Sequence, residues 1–195
     1  MTTMDRPDFA ASSIKQVLAA NPPAPLSNPK LIPAAVLIAL LGSGPNPRVL
    51  FTVRTSRVEH HKGEVSFVGG ARDPEDASLE MTALRETHEE VGIPPDDVRI
   101  LGQMSDHETR SGFLVTPFVG SIVADRNYEP SAIEVAELLE VPIFELWARY
   151  KKGPELVSYG GGTPSPAYEF HHDGNRIWGA TARMLVDFLD LMKAG

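Results

Sequence analysis

Residues Gly69 to Ile93 read GGARDPEDASLEMTALRETHEEVGI. Two glycines open the stretch, a charged loop with a proline follows, and a run of helix formers ends at Gly92. The run predicts a helix over Ala77 to Val91, with Asp76 as N-cap and Gly92 where helices commonly end in a left-handed residue. Ala77, Met81 and Leu84 are expected to form its buried face. Glu86, Glu89 and Glu90, three and four residues apart, then share the exposed face opposite. Like charges at that spacing cost about 0.2–0.5 kcal/mol per pair. Only Arg85 is near enough in sequence to offset them, best paired with Glu89 one turn on. A local rule broken without compensation tends to mark a functional site. The natural missing partner is a hard divalent cation, Mg²⁺ or Mn²⁺, because both prefer carboxylate oxygen. The plainer alternative is a solvated acidic face.

Working outward, Ala34 to Leu41 (AAVLIALL) is a continuous apolar strand of the kind found inside a sheet covered on both sides. The whole apolar run, Leu31 to Leu41, contains Pro33 and is too short to span a bilayer. Gly42 to Pro47 is a hairpin turn, and Arg48 to Arg54 returns as a second strand. Glu64 to Phe67 is a third, running into the glycines. Val98 to Met104 and Phe113 to Val123 are two more, joined by a polar loop, and Val135 to Val141 is another. Ile143 to Tyr150 is a short helix. A Gly/Pro-rich loop over Tyr159 to Pro166 precedes a hairpin near Tyr168 and Ile177. An amphipathic helix over Ala180 to Lys193 closes the chain, with Met184, Leu185, Phe188, Leu191 and Met192 apolar. At the other end, Ser12 to Ala20 is a short helix, and four prolines make Asn21 to Lys30 a linker wrapping the surface. Residues 1–30 are therefore a lead-in and residues 31–195 a single domain. Strands and helices in this order suggest an α/β (α+β) fold, a mixed sheet with helices on both faces.

The 195 residues are 42% hydrophobic and 23% charged, enough for one domain with a real core. The net charge of −8, without a basic tract, argues against duplex nucleic acid or an anionic membrane as main partner. There is no cysteine, which excludes disulfides, thiol nucleophiles and Cys-based zinc sites. The N-terminus lacks the apolar core of a signal peptide. Together these lead us to expect a cytoplasmic protein, monomer or homodimer, that acts on a small molecule.

The segment Arg85-Glu86-Thr87-His88-Glu89-Glu90-Val91-Gly92-Ile93 resembles the second half of the Nudix box, with Thr87 at an aliphatic position. Counted from Gly70, the acidic position of the first half falls on Asp76, and eight residues rather than seven separate it from Arg85. That expansion resembles a Nudix branch that cleaves coenzyme A. Upstream, Leu50 to Gly70 (LFTVRTSRVEHHKGEVSFVGG) resembles the signature of the same branch at Leu50, Thr52, Arg54, His61, Gly63, Phe67, Gly69 and Gly70. Val68 stands where that signature has proline, and Glu59 where it usually has arginine. Gly112 to Gly120 and Ile177 to Ala182 also look like that branch.

The resemblance implies an α/β/α sandwich around a mixed sheet and hydrolysis of a nucleoside diphosphate-linked small molecule with Mg²⁺ or Mn²⁺. The branch likeness implies coenzyme A or acyl-CoA, giving 3′,5′-ADP and a 4′-phosphopantetheine product. ADP-ribose, a dinucleotide cofactor or a nucleoside triphosphate is the alternative substrate, and a non-catalytic nucleotide-binding module the alternative of another class. The family implies that Gly70 (through its carbonyl), Glu86, Glu89 and Glu90 hold the cation, and that Arg85 orients a glutamate. Glu86 is the first choice of base, with Asp106, Glu108, Glu134 and Glu137 as candidates outside the box.

Arg54 and His61 suit substrate phosphate as cation and hydrogen-bond donor, although Arg54 has Glu59 and Glu64 near in sequence as alternative partners. Gly69 and Gly70 read either as a tight turn or as a loop whose backbone approaches metal and phosphate closely. Phe67 is a core residue or a base-stacking platform. His60-His61 lacks a third ligand for zinc. His171, His172 and Trp178 are expected to pack or face solvent.

Overall fold

The computed structural model describes residues 6–42, 44–55, 63–122, 128–158 and 163–194. The elements in chain order are α1 (Ala11–Ala20), β1 (Ile32–Leu41), β2 (Arg48–Arg54), β3 (Val65–Ser66), β4 (Val68–Ala71), α2 (Leu79–Val91), β5 (Val98–Gln103), β6 (His107–Glu108), β7 (Phe113–Ile122), β8 (Val135–Pro142), α3 (Ile143–Tyr150), β9 (Glu155–Val157), β10 (Ser165–Ala167), β11 (Phe170–His172), β12 (Asn175–Ile177) and α4 (Gly179–Ala194).

β1 is the axis. Along its whole length it pairs in parallel with β7 on one edge. Its other edge is shared: Ala39–Leu41 pair antiparallel with β2, and Ala34–Leu37 pair antiparallel with β4. β2 is used in the same way, with β8 along one edge and β3 at Thr52 and Val53 on the other. β1 and β2 therefore diverge, and the continuous segment Val65–Ala71 crosses the gap from one to the other. That crossing carries Phe67, Gly69 and Gly70. β5 and β6 pair antiparallel with β7, giving a mixed sheet of eight strands among the described residues.

The near-continuous apolar run of β1 resolves into two faces, as period-two geometry demands of a doubly covered strand. Ala35, Leu37, Ala39 and Leu41 pack with Ala83 and Val91 of α2. Ala34, Ile38 and Leu40 pack with residues of α1, α3 and α4 on the other side, including Ile14, Leu18, Leu146, Trp147, Leu185 and Phe188. Helices thus cover both faces, the α/β/α arrangement expected. Phe9, Ile14 and Leu18 put the lead-in helix inside the same core. Asp106 then receives Leu26 N–H, and Glu108 receives Asn28 Nδ2, as the prolines lead the chain around to β1.

Several boundaries differ from the sequence expectation. The third strand is two short ones, split at Phe67 by the crossing. Two residues of the loop before β7 form β6, and Ser165 and Pro166 of the expected Gly/Pro-rich loop pair with β9 together with Ala167, while residues 159–162 of that loop lie outside the described residues. The largest correction concerns α2. It begins at Leu79, not Ala77, and Ser78 is the N-cap, its Oγ accepting from Met81 N–H at 3.2 Å. Met81 is 51% exposed, while Thr82, Ala83, Thr87, Glu90 and Val91 are buried. The helix is rotated so that Glu86 and Glu90 look toward the sheet rather than away from it. Thr87 tolerates full burial because its hydroxyl donates to Ala83 O at 2.7 Å. Gly92 ends the helix in the left-handed region at φ 72°, as expected.

Candidate active site

The site begins with the crossing segment. Gly69 has φ 148°, a conformation that L side chains rarely adopt, and a Cβ there would lie 2.3 Å from Ala35 O. Its N–H donates to Glu90 Oε2 at 3.3 Å. At Gly70 a Cβ would lie 2.6–2.7 Å from the carboxylate atoms of Glu86. The first glycine is required by the neighbouring strand, while the second leaves room for the end of the Glu86 side chain.

Arg85 is held from behind by Asp76. Nε and Nη2 each reach an oxygen of that carboxylate at 3.0 Å. Nη2 also donates to Ala71 O at 3.1 Å, leaving Nη1 to contact Glu86 Oε1 at 2.8 Å and Glu89 Oε2 at 2.9 Å. Asp76 is itself buried and accepts further hydrogen bonds from Thr82 Oγ1 and Asp73 N–H. The Arg85 guanidinium, above all, pulls its pKa down to about 2. Asp76 is thus not the helix cap but the anchor of the arginine, and the expected Arg85–Glu89 pair is present.

The three glutamates do not share one environment. Glu90 is 3% exposed, Glu86 is half-buried, and the side chain of Glu89 is 57% exposed. Loss of solvent pushes Glu90 up to about 8, against the opposing pull of Arg54 and Gly69 N–H. Burial also raises Glu86, against the pull of Arg85. Arg54 Nη1 stands 3.9 Å from Glu90 Oε1, and its Nε is buried without a hydrogen-bond partner. Arg54 therefore contacts the box glutamate, and its alternative partner Glu59 lies outside the described residues.

Among the described residues, no three acidic or histidine side chains converge as a ready-made cation cage. The donor set nevertheless fits a hard cation. Glu86 and Glu90 are carboxylates whose pKa values burial raises, and the Gly70 backbone adjoins Glu86. Glu89 faces solvent beside them.

The other sequence candidates separate cleanly. Phe67 is 2% exposed and stacks on Phe51 with ring centroids 5.0 Å apart, a core position. His61 and Glu59 lie outside the described residues. Asp106 and Glu108 receive the lead-in segment, and Glu137 lies 3.4 Å from Asn175 Nδ2. Glu134 is the outside acid whose charge is felt by both Glu86 and Glu90. His172 pairs with Glu145 at 3.0 Å, and Arg176 stacks over Trp178. A separate cleft of about 330 Å³ beside α3, lined by Glu145, Arg149, Lys152 and His171 among others, contains none of the residues discussed for the site.

Sequence reasoning missed the backbone frame around these groups. Ser131 N–H caps Glu90 O at 2.8 Å, and Glu129 N–H caps Val91 O at 3.1 Å. Those contacts span about 40 residues, and no local pattern announces them.

The chain is similar to known proteins. The NUDIX domain family matches residues 31–152. A protein of Pectobacterium atrosepticum named "Uncharacterized Nudix hydrolase NudL" is 46% identical over 152 residues, covering 78% of each chain. One of the same name from Yersinia enterocolitica is 40% identical, covering 78% of this chain and 77% of its own. Among solved structures, a MutT/nudix family protein from Enterococcus faecalis superposes with TM-score 0.51 at 12% identity, over 83% of this chain and 61% of that one, a likeness of fold. No described helix is long and apolar enough to cross a membrane. The domain match over more than half the chain, and relatives at this identity, make the protein a member of the Nudix hydrolase family.

Proposed function

We propose that the chain hydrolyses the diphosphate of coenzyme A or an acyl-CoA, releasing 3′,5′-ADP and (acyl-)4′-phosphopantetheine. As a Nudix hydrolase it acts on nucleoside diphosphate-linked substrates. The finer reading is supported by the meeting of two motifs: Arg54, from the Leu50–Gly70 signature, lies 3.9 Å from Glu90 of the box. Water adds to one phosphorus, the bridging P–O bond breaks, and each product keeps one phosphate of the former diphosphate, 3′,5′-ADP retaining its 3′-phosphate as well.

Glu86, Glu90 and the Gly70 carbonyl would hold Mg²⁺ or Mn²⁺, with Glu89 joining from the solvent side. Such a cation neutralises diphosphate charge and makes bound water more acidic. Glu86 takes the proton of the attacking water. Arg85, fixed on Asp76, orients Glu86, and Arg54 binds a phosphate oxygen. Gly69 and Gly70 let the substrate approach the backbone. The intact glutamates argue against a module that only binds.

The test is a panel of coenzyme A, ADP-ribose, dinucleotides and nucleoside triphosphates with Mg²⁺ or Mn²⁺, products identified by mass. Metal-dependent appearance of 3′,5′-ADP from coenzyme A is expected. Cleavage of ADP-ribose with coenzyme A untouched would overturn the substrate. Tight nucleotide binding without turnover would overturn hydrolysis.

A further inference from the structure

The two arginines that face the box glutamates are held to very different degrees. Arg85 is committed on every side: Asp76, Ala71 O, Glu86 and Glu89 all lie within 3.1 Å of its guanidinium. Arg54 makes one long contact, Nη1 to Glu90 Oε1 at 3.9 Å, and its Nε is buried without a partner among the described residues.

The backbone of Arg54, by contrast, is fixed. Its N–H donates to Glu64 O, and its carbonyl accepts from Gly63 N–H, each at 3.0 Å. The next residue, Thr55, donates from Oγ1 to Ile133 O at 2.6 Å and from N–H to Glu134 O at 2.9 Å. Period two along β2 sets Arg54 on the face of Leu50, which packs with Ala83 and Val91 of α2. An anchored strand end therefore aims a loosely held guanidinium at the helix that carries Glu90. The Glu90 side chain is 4% exposed and otherwise receives Gly69 N–H at 3.3 Å.

A divalent cation held by Glu90 brings two positive charges to a carboxylate that already faces a guanidinium. Whatever the protonation of Glu90, net positive charge is added beside Arg54, and like charges repel strongly where water is excluded. The loosest contact gives way first, which leaves Arg85 in place.

We propose that Arg54 is a place-holder: it partners Glu90 in the metal-free protein, gives the carboxylate up when the divalent cation is bound, and only then offers its guanidinium to the substrate diphosphate. The site is thereby ordered, cation first and diphosphate second. The inference rests on the reading above that Glu90 holds the cation. It adds a competition between the metal and a residue of the Leu50–Gly70 signature.

The test compares two affinities of Arg54→Gln that should move in opposite directions. Mn²⁺ binding to the full chain without nucleotide, followed by electron paramagnetic resonance, should tighten about fivefold or more, the scale of coupling between linked sites. Inorganic diphosphate binding to the Mg²⁺-loaded chain, followed by calorimetry, should weaken about tenfold, as for a lost charge-assisted hydrogen bond. A residue that merely supports the fold would weaken both. Arg48→Gln removes the same charge about 20 Å away along β2, where Arg48 pairs with Glu140 at 2.9 Å. It should leave Mn²⁺ affinity within about twofold of wild type, because screening is effective over that distance.

Unchanged or weaker Mn²⁺ binding in Arg54→Gln overturns the proposal, as does undiminished diphosphate binding or an equal tightening in Arg48→Gln. If Arg54→Gln fails to fold, wild type decides through arginine modification by phenylglyoxal, mapped by mass. Arg54 should react faster with Mg²⁺ bound than without, and an equal or slower reaction overturns the proposal. Failure of the cation reading beneath it is seen separately: Glu90→Gln would then bind Mn²⁺ as tightly as wild type, and both would fall. Failure of the coenzyme A assignment alone leaves these measurements standing, because none of them uses turnover.

Discussion

Asp76 and Glu90 are both buried carboxylates of the same motif region, and they have opposite fates. Asp76 meets the fork of Arg85, Thr82 and a backbone N–H, and its pKa falls to about 2. Glu90 meets one long contact to Arg54 and one to Gly69 N–H, and its pKa rises to about 8. Burial alone does not decide what a carboxylate becomes; the supply of donors does. One end of the network is a finished structural unit. The other is left with fewer donors, at the residues proposed above to hold a cation.

The strongest way to break this contrast is Arg85→Ala. It leaves Asp76 as a buried, unpaired charge, so unfolding stability should drop by about 3–5 kcal/mol at neutral pH, measured by denaturant titration. A loss under about 1 kcal/mol would mean that the pair is a surface contact. Acid titration gives the sign for Asp76 itself. Its folded pKa lies below the ordinary 3.8, so its contribution is present above that value and lost as pH falls toward 2.

Next is Glu90→Gln, which should lower metal-dependent turnover at least about 100-fold. Here the pH dependence runs the other way. The folded pKa of about 8 lies above the ordinary 4.5, so folding takes up a proton. Metal-free wild type should be most stable below about 4.5 on this account and should lose that contribution as pH rises through 8. Glu90→Gln should flatten that decline in thermal melts. Mg²⁺ should raise the wild-type melting temperature at pH 8 and do so much less in the variant. An equal Mg²⁺ shift in both proteins would remove Glu90 from the cation site.

The two glycines sharpen the comparison at smaller scale. Gly69→Ala drives a Cβ into a strand carbonyl and should cost stability, about 1–3 kcal/mol. Gly70→Ala meets only the end of the Glu86 side chain, which can move. It should keep more of the stability while losing turnover. The reverse ranking would show that Gly70 is simply a turn. The smallest effect is expected for Phe67→Leu, under about 1.5 kcal/mol in stability, with KM unchanged. A several-fold KM change would restore Phe67 as a substrate platform.

Much of the architecture was legible. The hairpin over β1 and β2, the β2 bounds and α3 follow from runs of apolar residues and turn glycines and prolines, which are local signals. The face of α2 was not. Its apolar residues Met81 and Leu84 point to one orientation, yet the helix buries Thr82, Thr87 and Glu90 instead. The partners lie outside the helix: Gly70 leaves room for the Glu86 carboxylate, and Gly69 N–H donates to Glu90. The Arg85–Glu89 pair was legible at one turn of spacing. Asp76 as an anchor was not, because a carboxylate before a helix looks the same whether it caps or turns inward. The Thr55–Ile133 contact joins residues 78 apart, beyond any periodicity.

The use of β1 has a consequence for synthesis. Its partner in β2 follows at once, and β4 completes the same edge from within the next segment. Its other edge waits for β7, whose first paired residue, Phe113, comes 81 positions after Ile32. Until the ribosome has delivered residues 113–122, the most apolar strand of the chain has one unpaired edge. Such edges recruit other chains, and long-range parallel pairing is slow to form. The nascent protein is therefore most vulnerable to aggregation after the Glu86–Glu90 helix has been made and before its sheet is complete.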